Sequence, residues 1–247
     1  MAYDPQSLDQ PFAALKSYEW GADATVFAVP IDAAVVAAHG DAAARTDLEQ
    51  RLTALLGAGT SRACKEYVCR KLSVIGTAAS VPALAALLPD REHSHMARFA
   101  LERIDAPAAA DALRAALGSL QGDLRIGMIS SLGSRRDAAC VPMLAGLLGG
   151  EAATAIAAAE ALGTIRSPEA IQALSAVDIM AGKGVGATVV DARLACAEAL
   201  LRQGRRPEAL AIYKALAAAA AGKPAAKSIE LAATRGILAC LDTTTGS

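Results

Sequence analysis

At 247 residues, a formal net charge of −1 and a pI near 6.3, the chain is long enough for a full core and carries no global field that would recruit nucleic acid or a membrane surface. Alanine supplies 62 residues, about a quarter of the chain, and aromatic residues only 3%. Alanine and leucine favour helix whereas strands draw on aromatic and β-branched residues, so strand-rich architectures are excluded and an all-α fold is expected.

The charge is uneven. Residues 1–60 hold eight acidic and three basic residues, and residues 61–247 hold seventeen and twenty-one. The opening Met1-Ala2-Tyr3-Asp4-Pro5 has no basic stretch ahead of an apolar run, so no signal peptide is expected and the cytoplasm is the expected compartment. Helices are expected over residues 6–18, 31–39 and 41–56, interrupted at Trp20-Gly21 and Gly40. This acidic segment, residues 1–59, reads as an N-terminal helical cap, because the end of a repeat stack needs a polar outer face.

From residue 60 onward a unit of about thirty residues recurs. Leu72, Leu101, Leu132 and Leu162 hold equivalent places, with spacings of 29, 31 and 30. A fixed period of this length marks stacked supersecondary units, none of which buries its apolar face alone. In the first unit Thr60 or Ser61 is the expected N-cap, Gly76 the helix end, and Val81, Pro82, Leu84, Leu87 and Leu88 the second helix. The third unit repeats that spacing at Val141, Pro142, Leu144, Leu147 and Leu148. Ser94 is expected to cap a helix through Leu101, and Pro107 to open the next. Gly133 and Gly163 are expected to stop helices as Gly76 does. Ser167-Pro168-Glu169 combines an N-cap, a proline at N1 and an early acid. After a glycine-rich stretch at residues 178–186 come a longer pair, residues 189–203 and 207–221, and a last helix over residues 225–241 with no evident partner. No apolar run reaches a membrane span. The five cysteines, odd in number and set in apolar helical patterns, are expected as buried thiols without disulfides.

Leu72-x-x-Ile75-Gly76 with Val81-Pro82-x-Leu84, and Leu132-Gly133 with Val141-Pro142-x-Leu144, resemble HEAT repeats of the short bacterial form. The resemblance covers residues 60–180, about four repeats. Residues 181–247, with Leu200, Gly204, Glu208, Ala209, Leu210 and Tyr213, look like a tetratricopeptide- or HEAT-type pair plus a capping helix. It implies a right-handed α-solenoid of antiparallel helix pairs, used for protein–protein contact and only sometimes for catalysis.

Candidate chemistry is sparse. His93-Ser94-His95 preceded by Glu92 could ligate a metal, but a metal needs three or four converging groups, no fourth ligand with regular spacing is visible, and His39 is the only other histidine. This stretch reads as an inter-repeat loop, and no metal is expected. Gly182-Lys183-Gly184-Val185-Gly186 fits neither phosphate-loop pattern, and no cofactor is expected. No Gly-x-Ser-x-Gly elbow occurs. Repeat register places Arg103, Arg135, Arg136, Arg166, Arg205 and Arg206 at intra-unit turns along one edge. Asp90, Glu92, Asp123, Glu151 and Asp178 fall on the other. Such arginines either bind the carboxylates or phosphates of a partner or cap helix C-termini.

The expected function is therefore a non-enzymatic protein–protein interaction scaffold, its partner another protein with an acidic surface. No specific nucleic acid and no membrane insertion are expected, and the oligomeric state stays open. The alternative is an accessory lyase or chaperone-like HEAT protein acting on a protein-bound cofactor. A HEAT-like DNA glycosylase is a third reading, opposed by the single Trp and the neutral pI.

Overall fold

The computed structural model describes residues 3–57, 59–180 and 184–242. Among them every regular element is helical, so the fold is all-α. The tail at residues 243–247 and, within the glycine-rich stretch, residues 181–183 lie outside the described residues. No helix among the described residues is long and apolar enough to cross a membrane.

The chain forms two compact units, Met1–Ser131 and Leu132–Ser247. The first holds α1 (Asp9–Lys16), α2 (Thr25–Ala37), α3 (Ala42–Ala54), α4 (Arg62–Ile75), α5 (Val81–Ala85), α6 (Ser94–Arg103) and α7 (Pro107–Ser119). It also holds most of α8 (Gly122–Ser134), which crosses the boundary. The second holds α9 (Val141–Leu147), α10 (Ala152–Ile165), α11 (Pro168–Ser175), α12 (Val185–Arg202), α13 (Arg206–Ala220) and α14 (Lys227–Leu241). Within the first unit the leading helices α4 and α6 pack together, as do the trailing helices α5 and α7. In the second, α10 packs on α12 and α9 on α11, the same alternation. This is a helical-repeat fold.

The leucines of the repeat lie in the core: Leu72, Leu84, Leu101, Leu132, Leu144 and Leu162 are each 0% exposed. Gly133 and Gly163 do not end helices. They lie inside α8 and α10 at the contact with the next leading helix. A Cβ on Gly133 would sit 3.0 Å from the Ala161 Cα, and one on Gly163 would sit 2.7 Å from the Ala192 Cβ. Each glycine therefore admits an alanine helix at backbone range, thirty residues apart. Gly76 does end α4.

Ser61 is the N-cap of α4 and accepts from the Cys64 N–H at 3.0 Å. Ser167 caps α11, with Pro168 at its start and Glu169 in its first turn. Ser94, by contrast, is the first helical residue of α6 and caps nothing. His93 holds the N-cap position without a side-chain bond to the helix backbone.

In the N-terminal segment most acids are exposed, while Glu49 and Asp32 tie it to α4 and the turn that follows. Glu49, buried on α3, accepts from the Thr77 N–H at 2.7 Å, and Arg45 Nε donates to the Ile75 carbonyl at 2.8 Å, closing the C-terminus of α4. Asp32 pairs with Lys71 and accepts from the Tyr67 hydroxyl. Phe27 packs edge-on against Tyr18 and Tyr67, with ring centroids 4.8 and 5.1 Å apart. At the other end α14 does have partners, packing on α13 and α12.

Two expectations follow. Leu144→Ala, which empties a fully buried site, should cost about 2–5 kcal/mol in denaturant unfolding. An unchanged midpoint would show that Leu144 is not a core residue. All five cysteines are buried and unbridged. Burial pushes Cys64 and Cys196 up to about 11 and Cys69 up to about 12, so they stay protonated at neutral pH and react poorly. Thiol labelling should be slow in the native protein and reach five sites on unfolding. Fast native labelling of Cys140 or Cys196 would contradict the packing.

Candidate functional site

The six arginines singled out by register divide between the units, Arg103 in the first and the other five in the second. Three of them, Arg103, Arg166 and Arg206, meet carbonyls at helix C-termini, where unsatisfied carbonyls and the helix dipole favour a cation. Arg103, in the last turn of α6, donates to the Phe99 carbonyl at 3.0 Å and lies 3.8 Å from the Phe99 ring centre. Arg206 donates to the Asp242 carbonyl at 2.6 Å, just beyond α14. Arg205 grips Glu208 with both arms of its fork, Nε to Oε1 at 2.8 Å and Nη2 to Oε2. That bond holds the Glu208 carboxyl below its ordinary value. Arg136 is exposed and takes a left-handed backbone, φ 52°, after α8. Arg135, beside it, is half-buried.

Arg166 differs. It is the left-handed C-cap of α10, φ 57°, and its Nε donates to the Gly163 carbonyl at 3.0 Å. Its two terminal nitrogens take no protein partner among the described residues, and its side chain lines a groove between α11 and α13. The groove holds about 360 Å³. Pro168, Ile171, Leu200, Ala211, Ile212 and Ala215 make it apolar, while Arg166, Ser175 and the Arg205–Glu208 pair make its polar edge. Arg166 also borders a second, shallower concavity between α10 and α12, where Glu160 and Asp191 bring carboxylates from the two helices beside Thr164 and Thr188.

Of the acids expected on the other edge, Glu151 caps a helix, Asp90 holds a neighbouring histidine, and Glu92 pairs with Arg62 at 3.6 Å. Glu151 is the N-cap of α10 and accepts from the Ala153 and Thr154 N–H groups, which lowers its pKa. Asp90 binds His93 Nδ1 at 2.7 Å and is lowered by that contact. His93 and His95 line different concavities and do not converge. Among the described residues no three His, Cys, Asp or Glu side chains gather in a group that could hold a metal ion.

Register could not find two further guanidiniums. Arg193, in the middle of α12, is only 5% exposed, its Nε has no hydrogen-bond partner, and burial pushes it below its ordinary value. Arg98, on α6, is half-buried against α8, where Nη1 donates to the Gly127 carbonyl and Ser131 Oγ, both at 3.1 Å. Neither sits at a turn, so a reading based on turns passes over both.

No protein-family model matches this sequence, and no curated protein matches it. Among solved structures, human deoxyhypusine hydroxylase in complex with glycerol is similar to it. The match has 16% identity and a TM-score of 0.36, and covers 76% of this chain and 94% of that one. That protein is an enzyme by its name. The expectation of a non-enzymatic scaffold, and with it the expectation that the chain is not an enzyme, is corrected here. It rested on fold class and on the lack of a recognisable catalytic motif, and a fold class does not fix function.

The capping contacts have a direct test. Arg206→Ala removes the donor to the Asp242 carbonyl and should speed amide exchange in the last turn of α14, while α10 keeps its protection. Unchanged exchange there would mean that the contact does not hold the helix end.

Proposed function

We propose that this chain is an accessory helical-repeat protein, HEAT-like with a tetratricopeptide-like last pair, that acts on a group carried by another protein in a lyase-type or chaperone-like role. The observation that carries the reading is the groove of the second unit. It pairs an apolar floor with an arginine whose fork is free. An apolar prosthetic group bearing carboxylates suits that combination. Its body would lie over Ile171, Leu200 and Ile212, and a carboxylate would meet the Arg166 fork in the two-pronged geometry guanidinium favours. The groove is open, as a group still attached to a partner requires. The Arg205–Glu208 pair would fix the edge without contributing a free charge. The partner is then another protein, recognised partly through an acidic substituent.

The test places a photo-crosslinking residue at Ala211, in the groove, and at Leu231, on the exposed face of α14, as control. The Ala211 position should capture a protein bearing a bound acid-substituted apolar group, and Arg166→Gln should weaken that capture without unfolding the unit. Adding the chain should also change the attachment or spectrum of that group. Equal capture from Leu231, or a captured protein with no such group, would overturn the proposal.

A further inference from the structure

The polar concavity that His95 lines, independent of the proposed function, lies in the first unit at the start of α6. It holds about 290 Å³ and is lined by Arg91, Ser94, His95, Arg98, Asp123 and Leu124. Three observations set it apart from an ordinary loop cleft. Ser94 is among the lining residues, yet it is only 2% exposed and its Oγ has no hydrogen-bond partner among the described residues. Buried hydroxyls in folded proteins are almost always bonded, so an orphan one calls for an explanation.

The second observation is the fixed cation. Arg98 is held by the Gly127 carbonyl and Ser131 Oγ through Nη1, its Nη2 lies 3.4 Å from His95 Nδ1, and Ser131 in turn donates to Glu102 at 2.7 Å. Its Nε is buried without a partner. Gly127 permits this placement, because a Cβ there would lie 2.8 Å from the Arg98 guanidinium carbon. Burial pushes the Arg98 guanidinium below its ordinary value, with Glu102 acting in the opposite sense, so this cation carries a desolvation cost that a nearby anion would offset.

The third is the surrounding field. Arg91 is exposed and takes no protein partner among the described residues, and α6 directs its N-terminus here. Helix N-termini favour anions. One exposed carboxylate, Asp123, opposes two guanidiniums.

We propose that this concavity binds the phosphate of a phosphate monoester, with Arg98 as the fixed cation, Ser94 Oγ as a donor and Arg91 closing over the outer oxygens. Phosphate fits better than a carboxylate because three oxygens can meet the Arg98, Ser94 and Arg91 donors at once, where a carboxylate offers two. The cavity exceeds a phosphate in volume, leaving room for the group to which the ester is attached.

The test is titration of the whole chain, by calorimetry and by thermal shift at constant ionic strength, with inorganic phosphate, a phosphoserine peptide, the unphosphorylated peptide, and chloride. Phosphate should raise the melting temperature where chloride does not. Ser94→Ala should weaken binding about tenfold, the cost of one hydrogen bond to a charged group. Arg91→Gln should weaken it as well. Ser94 caps no helix and Arg91 makes no hydrogen bond or ion pair among the described residues, so both variants should melt near the parent, whereas Arg98 is left alone because it also secures α8. If the phosphopeptide binds more tightly than inorganic phosphate and the plain peptide does not bind, the phosphate arrives on a protein. If the two phosphate probes bind alike, it arrives on a small molecule. Phosphate acting no differently from chloride, or binding equally to both variants, would overturn the proposal.

Discussion

The close approach of the leading helices is the constraint on which the second unit depends. Gly133 in α8 meets Ala161 in α10, and Gly163 in α10 meets Ala192 in α12. At such separations no larger side chain fits between the backbones, and the interface is made of many short dispersion contacts rather than a few large ones. This explains why α10 buries Ala155, Ala157, Ala158, Ala159 and Ala161. It also explains how a chain with 3% aromatic residues builds a core. The trailing helices are freer, and the groove beside α11 and α13 forms where they do not close over one another.

The first unit solves the same problem with polar chemistry. There the leading helix α6 reaches α8 through Arg98, Gly127, Ser131 and Glu102, a hydrogen-bonded chain instead of an alanine seam. Glu49 and Arg45 join α3 to the end of α4 in the same manner. A buried charge is tolerated only when its donors or acceptors are met. Among the described residues six buried side-chain atoms fall short of this: Thr53 Oγ1, His93 Nε2, Ser94 Oγ and the Nε atoms of Arg98, Arg125 and Arg193.

The arginines show how one residue type serves different ends in equivalent places. Arg103, Arg166 and Arg206 each close a helix terminus, yet only Arg166 does so through Nε alone and leaves its fork toward a groove. Arg205 stands next to the same groove and is tied to Glu208. Position at a turn is thus a poor guide to availability. What decides is which nitrogen meets the carbonyl and whether a carboxylate lies one helical turn away.

The sequence by itself determined the helical class, the thirty-residue period, the leucine core and the buried thiols. These follow from composition and spacing, which act locally or between adjacent units. It also placed caps at Ser61 and Ser167, where the side chain bonds to the N–H three residues on. It misassigned Gly133 and Gly163, because a glycine that stops a helix and one that admits a neighbouring helix are alike in sequence and differ only in what packs against them. It passed over Arg98 and Arg193 for the same reason. Only the tertiary structure decided which hydroxyls and guanidiniums lack partners, since a hydrogen bond such as Arg98 to Ser131 joins residues 33 apart that no local pattern relates.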